Sequence, residues 1–119
     1  INAAVGCAQL ESFEKIKKAK RGLHDRYQNV LESCPWLSLV KEQDYANSNY
    51  WLNTVVLNKK EIFFYENILE KCKDNGIYIR PSWEPLHTLK MFCRFPSSEM
   101  ENINSLNERI FNLPSSPIL

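Results

Sequence analysis

The first ten residues read as a helix that is apolar on nearly every side, and this segment constrains the chain more than any other. Small apolar side chains occur at Ile1, Ala3, Ala4, Val5, Cys7 and Ala8. A helix that is apolar nearly all round normally needs cover on several sides, whereas a free amino terminus usually frays into solvent. We therefore expect the chain to be a piece of a larger protein whose remaining part covers these residues.

The size and charge of the chain exclude several classes of function. Its 119 residues suffice for one domain. Fifteen basic and fourteen acidic side chains give a net charge of +1, which does not favour binding to nucleic acid or to an anionic membrane. The Lys-rich run 15–21 follows Glu11 and Glu14 by about one helical turn, so we interpret it as a solvated helix face.

The cysteines and the hydropathy indicate a cytoplasmic protein. The four cysteines are far apart, with no Cys-x-x-Cys pair, which is typical of reduced, buried thiols in the cytosol. No segment approaches the roughly 20 apolar residues that a membrane span requires, and no signal peptide is visible.

Hydrophobic periodicity and breaker residues predict an α+β fold. The predicted helices span residues 1–10, 12–33 and 61–75, and a last helix runs from Ser97 or Ser98 to about Leu113. Gly76 is predicted to be the residue that follows the third helix. The predicted strands span residues 36–40, 50–57 and 77–79, with a loop at 41–49 and a short helical or irregular stretch at 85–92. This order predicts a small three-stranded sheet with helices packed on one face. We divide the chain into connecting helices at 1–34 and a sheet-and-helix part at 35–119.

The residues show no complete catalytic set and no metal-binding spacing. Each lysine lies in a charged helix or loop rather than in an apolar pocket that would lower its pKa.

One segment, Ile77 to His87, is a candidate ligand-binding edge, because two prolines fix Arg80, Trp83 and His87 just after a strand. Arg80 offers a planar fork for phosphate or carboxylate, Trp83 a stacking surface and His87 a titratable group. The alternative is an Arg80–Glu84 ion pair with Trp83 in the core.

Four blocks of sequence then occur in a fixed order. They are Asn2–Glu11, the Asn-Tyr-Trp-Leu-Asn run at 49–53, residues 76–87 with Arg80-Pro81 and Pro85-Leu86-His87, and the Asn-Leu-Pro-Ser-Ser-Pro run at 112–117. This succession resembles the C-terminal part of the DegT/DnrJ/EryC1/StrS sugar aminotransferases, in particular a legionaminic-acid- or perosamine-like branch. The resemblance covers nearly the whole chain.

The resemblance implies the small domain of an aspartate-aminotransferase-like fold. It implies a parent enzyme, a homodimer, that uses pyridoxal 5′-phosphate to move an amino group from glutamate to a 4-keto-6-deoxy nucleotide sugar for surface-glycan biosynthesis. In such enzymes the cofactor lysine and the other cofactor-binding residues lie in a large domain upstream of Ile1. The resemblance thus gives this chain no catalytic or cofactor-binding residue, and we expect the fragment alone to be inactive and to bind no cofactor.

The resemblance also implies where substrate contacts lie. The Arg-Pro…Pro-Leu-His segment borders the nucleotide-sugar site in similar enzymes, so Arg80, Trp83 and His87 become candidates for substrate binding. Asn53 is a further candidate, placed where a strand side chain could face the cleft. The alternative function is a freestanding, non-catalytic α+β module that binds a ligand or a partner.

Overall fold

The computed structural model describes residues 1–117, so positions 118–119 of the predicted domain lie outside the described residues. The elements in chain order are α1 (Asn2–Leu31), β1 (Leu37–Leu39), β2 (Asn53–Leu57), α2 (Tyr65–Asp74), β3 (Arg80–Pro81), α3 (Glu101–Asn107) and β4 (Ile110–Leu113). Two 3₁₀ helices, Lys59–Phe64 and Leu86–Thr88, precede α2 and follow β3.

The helix α1 is one continuous helix of 30 residues, so the prediction of two helices divided near Ser12 is wrong. No proline interrupts this region, and Ser12 lies inside the helix rather than at an N-cap. The helix ends shortly before Pro35, because a proline cannot continue the helical hydrogen bonds and the residue before it avoids the helical backbone conformation. Residues 1–15 are all exposed, so only the later part of α1 packs on the sheet.

The sheet has four antiparallel strands in the order β1-β2-β4-β3. The α+β class is therefore confirmed. The prediction of three strands is wrong, because it omits β4. Ile110 continues the helical spacing of Ile103 and Leu106, so the sequence pattern predicts a helix that runs through β4. Phe111 lies on β4 opposite Val55 and is almost fully buried, so strand pairing and burial outweigh the helical periodicity here.

Three predicted element boundaries are also wrong. The second strand begins at Asn53 rather than Tyr50, because Tyr50 has a φ of 45° and cannot continue an extended strand. The third strand is Arg80–Pro81 rather than 77–79; Pro81 is tolerated because β3 lies at the sheet edge. The last helix begins at Glu101, without a side-chain cap from Ser97 or Ser98.

The core lies between one face of the sheet and two helices. Leu39, Val55 and Phe111 form its buried centre. Tyr27 and Leu31 of α1 and Tyr65 and Ile68 of α2 pack against them, which accords with the prediction of helices on one face. Helix α3 does not pack on this face of the sheet. Its Ile103 and Leu106 line an apolar groove together with Ile110. Ile110 precedes Phe111 on β4, so its side chain lies on the opposite face of the sheet.

Gly76 follows α2 with a φ of +72°, which confirms its predicted position after the helix. The four cysteines are free, but none is buried, so the expectation of buried thiols is wrong.

Candidate functional site

A positively charged groove of about 350 Å³ opens at the end of the sheet where β2 begins and β4 ends. Its lining residues are Lys20, Trp51, Leu52, Tyr78, Arg80, Asn112, Leu113, Pro114, Ser115 and Ser116. The two cations come from different elements: Lys20 from α1 and Arg80 from β3. None of the described residues that line the groove is acidic, so its charge favours an anionic ligand.

Lys20 ties together the two chain segments that leave the sheet at this end. Its Nζ donates to the carbonyl oxygen of Trp51 at 3.2 Å and to that of Ser115 at 2.8 Å. The segment with Trp51 precedes β2 and the segment with Ser115 follows β4, and these two strands pair with each other. Lys20 therefore shapes the groove as well as contributing charge to it. Its ammonium has three donors, so one is left for a ligand.

A buried polar cluster supports the groove from the core side. The Oδ1 of Asn53 lies 3.1 Å from Nδ1 of His24. The hydroxyl of Ser115 accepts from the backbone N–H of Asn53 at 2.8 Å and from its Nδ2 at 3.2 Å, and donates to the carbonyl of Leu113 at 2.9 Å. Because buried polar groups are costly when unpaired, this network fixes the position of the 113–115 segment relative to α1.

Tyr50 has the only positive φ among the described non-glycine residues, and it stacks on His24. The two ring centroids lie 3.6 Å apart and the planes are 13° from parallel. The guanidinium of Arg21 lies 5.3 Å from the centroid of the Tyr50 ring, within range of a cation–π contact. The strained residue is thus held from two sides immediately before Trp51.

Arg21 organises the polar loop at 41–49 through Glu42. The guanidinium donates to both carboxylate oxygens of Glu42 and to the carbonyl of Ser48 at 2.7 Å, while the Ser48 N–H donates to Glu42 at 2.6 Å. The Arg21 hydrogen bonds, followed by that from Ser48, lower the pKa of Glu42 to about 2. The hydrogen bond to Glu42 is likewise the main cause that raises the pKa of Arg21.

The four predicted substrate-binding residues lie in separate environments. Arg80 lines the groove. Trp83 is 80% exposed and borders the apolar groove of α3, and Nε2 of His87 lies 3.0 Å from Oδ1 of Asn104 on α3. Asn53 is 1% exposed and fully engaged in the buried network, so a substrate contact would require that network to open.

The alternative arrangement of this segment is wrong. Among the described residues the ion pair within 4.0 Å joins Arg21 to Glu42, not Arg80 to Glu84. Glu84 instead accepts from the hydroxyl of Thr88 at 2.9 Å, and Trp83 is not in the core. Arg80 therefore keeps its guanidinium available at the groove.

Sequence reasoning missed Lys20, Trp51 and Tyr78. The prediction that the Lys-rich run is a solvated helix face is wrong for Lys20 and Arg21, because both donate hydrogen bonds to residues in the 42–51 region. No local signal in the sequence shows that a lysine on α1 meets a segment 95 residues away. Within residues 1–117 no cluster of metal-ligating side chains occurs, and no helix there is long and apolar enough to cross a membrane.

A long helix leading into a small antiparallel α+β layer is also the fold that this chain shares with solved aminotransferase structures. The solved structure of PseC, an aminotransferase of pseudoaminic acid biosynthesis from Helicobacter pylori, matches 95% of this chain with a TM-score of 0.85 at 16% identity, over 31% of its own chain. The model of the DegT/DnrJ/EryC1/StrS aminotransferase family matches residues 1–119. The chain belongs to this family.

Curated relatives agree with this assignment. The chain is 35% identical over 97% of its length to GDP-perosamine synthase of Vibrio cholerae, and 30% identical over its full length to GDP-perosamine synthase of Escherichia coli O157:H7. In both cases it spans 31% of the relative's length.

Proposed function

We propose that this chain acts as the small domain of a pyridoxal-phosphate-dependent aminotransferase that moves an amino group from glutamate to a 4-keto-6-deoxy nucleotide sugar for surface-glycan biosynthesis. The family match over the whole chain carries this proposal. The GDP-perosamine synthases at 30% and 35% identity support the nucleotide-sugar substrate. We further propose that a large cofactor-binding domain and a second subunit complete the enzyme, and that it works in the cytoplasm, where its free cysteines stay reduced.

We propose that the residues present do not form a cofactor site by themselves. Each lysine between residues 1 and 117 is exposed or half-buried, and Lys20 is engaged by two carbonyls, so none lies in an apolar pocket that would favour a reactive neutral amine. Pyridoxal phosphate supplies the electron sink for transamination when it is bound. No step through it is assigned to this chain, and we propose that the chain alone is inactive.

The part that this chain contributes is binding and orientation of the substrate. Arg80 offers two parallel N–H donors to a phosphate at the groove. We propose that His87 and Trp83 also contact the substrate, from positions outside the groove that Arg80 lines. Such contacts hold the sugar in place and exclude water, which raises the rate by fixing the reacting groups.

The proposal is tested by assaying the complete protein that carries this chain. With pyridoxal phosphate, glutamate and a GDP-linked 4-keto-6-deoxy sugar, we expect formation of 2-oxoglutarate and an amino sugar in equal amounts. The 119-residue chain alone, assayed in parallel, is expected to form neither. Absence of both products from the complete protein with guanosine-, thymidine- and uridine-linked 4-keto sugars would favour the alternative, a non-catalytic binding module.

A further inference from the structure

We infer that the groove at the sheet end is a nucleoside-diphosphate site, in which Trp51 stacks on the base while Arg80 and Lys20 bind the phosphates. This inference rests on the proposed function and identifies which residues would recognise the nucleotide half of the substrate. Trp51 lies in the 49–53 block that carries the family resemblance, but neither Trp51 nor Lys20 was among the predicted substrate-binding residues.

The first observation is unopposed positive charge. Arg80 and Lys20 line the groove together, and no described acidic side chain lines it with them. Arg80 forms no ion pair with the described residues, whereas Arg21, one residue after Lys20, is neutralised by Glu42. A cation pair in a concave site attracts an anion, and the guanidinium fork suits a phosphate in particular.

The second observation is aromatic surface beside that charge. Trp51 is 66% exposed and Tyr78 is 76% exposed, and both line the groove. Large rings at a cationic groove are the combination that binds nucleotides, because bases stack on aromatic faces while basic side chains contact phosphates. Simple phosphate or a carboxylate would use the cations and leave both rings unused.

The third observation is that the backbone of Trp51 is fixed although its ring is exposed. Its N–H donates to Oδ1 of Asn49 at 3.0 Å and its carbonyl accepts from Lys20. The residue before it, Tyr50, is held in a left-handed conformation by stacking on His24. Strained backbone that the surroundings enforce is concentrated at functional sites. A ring presented from a rigid backbone also loses less entropy on binding.

The volume agrees with this assignment. About 350 Å³ lies at the lower end of the range for small-molecule sites. The groove can therefore take the nucleotide and leave the sugar to extend towards the rest of the enzyme.

The test compares ligands with and without a base, using the complete holoenzyme and calorimetric measurement of Kd. The probes are GDP, dTDP and inorganic pyrophosphate. Trp51→Ala is expected to weaken GDP and dTDP binding about tenfold or more and to leave pyrophosphate binding within twofold. Arg80→Ala is expected to weaken all three probes about tenfold or more. Trp51→Phe, which keeps a stacking ring, is expected to remain within about threefold of the wild type for all three.

Tyr45→Ala is the matched control, because Tyr45 is 91% exposed outside the groove, and its three Kd values should not change. The inference is overturned if Trp51→Ala binds GDP and dTDP like the wild type, or if it weakens pyrophosphate binding equally, which would show a general structural effect. It is also overturned if the wild type binds none of the three. Failure of the proposed function would give a different result. The nucleoside diphosphates would bind with the expected dependence on Trp51 and Arg80, but the enzyme would transfer no amino group.

Discussion

His24 and Tyr50 stack with 3.6 Å between their ring centroids, so a side chain of α1 holds the one strained residue that precedes β2. The same imidazole bonds through Nδ1 to Asn53 on β2. One residue therefore connects the long helix both to the strained backbone and to the first position of the central strand. The groove lies directly beyond this connection.

Replacement of His24 by alanine is expected to lower the free energy of unfolding by about 2–4 kcal/mol, because it removes the aromatic stack and leaves the buried Asn53 oxygen without a partner. Urea unfolding followed by circular dichroism measures this change. Asp25→Ala is the control, since Asp25 is exposed on the same helix. Equal unfolding midpoints for the two variants would contradict the role of the stack.

The Arg21–Glu42 pair predicts a pH dependence of stability. Its hydrogen bonds lower the pKa of Glu42 from 4.5 to about 2, so the pair stabilises the folded state above about pH 4.5 and this contribution is lost as the pH falls towards 2. Glu42→Gln should therefore be less stable than the wild type at pH 7, and the difference should narrow between pH 4.5 and 2. Urea midpoints across this range measure it. A difference that is constant with pH, or equal to that of the exposed Glu70→Gln, would contradict the assignment.

Two glycines should respond to alanine with opposite signs. Gly76 has a φ of +72°, so Gly76→Ala is expected to cost about 1 kcal/mol of stability although nothing lies within 4 Å of the new methyl group. Gly22 also has open space but lies inside α1, so Gly22→Ala is expected to add about 0.5–1 kcal/mol through helix propensity. Thermal or urea unfolding of the two variants distinguishes them. A shift of the same sign in both would contradict this explanation.

The substrate-binding proposal for Arg80 and His87 predicts a selective kinetic effect in the complete enzyme. Alanine at either position is expected to raise KM for the nucleotide sugar about tenfold while KM for glutamate stays unchanged. Asn104→Ala is the matched control for His87, because it breaks the same side-chain contact and keeps the imidazole. If Asn104→Ala has the same effect as His87→Ala, the histidine acts only through α3. Unchanged kinetics in both alanine variants would contradict the proposal.

The sequence was most informative where a local pattern and the tertiary structure agree. Gly76 ends α2 as expected, because the left-handed requirement is local, and Leu37–Leu39 lies within the predicted first strand. The α+β class also followed from the order of patterns. Strand β4 was missed because Ile110 continues a helical period, and the start of β2 was misplaced because nothing in the Tyr50 neighbourhood signals a positive φ.

The candidate site was less predictable than the fold. Arg80 was found because prolines and a strand end mark its segment. Lys20 was not, because its partners are Trp51 and Ser115, 31 and 95 residues away. A contact of that kind depends on how the whole chain closes, and charge patterning along one helix carries no information about it.

Residues 1–15, the first half of α1, are exposed over their whole length. Nineteen residues precede Lys20, which at 1.5 Å per residue is a length of about 28 Å. At the inner end of this segment, Lys20 donates hydrogen bonds to the carbonyls of Trp51 and Ser115, which belong to residues that line the groove. A protein that binds the exposed segment would thus contact the same helix that shapes the groove.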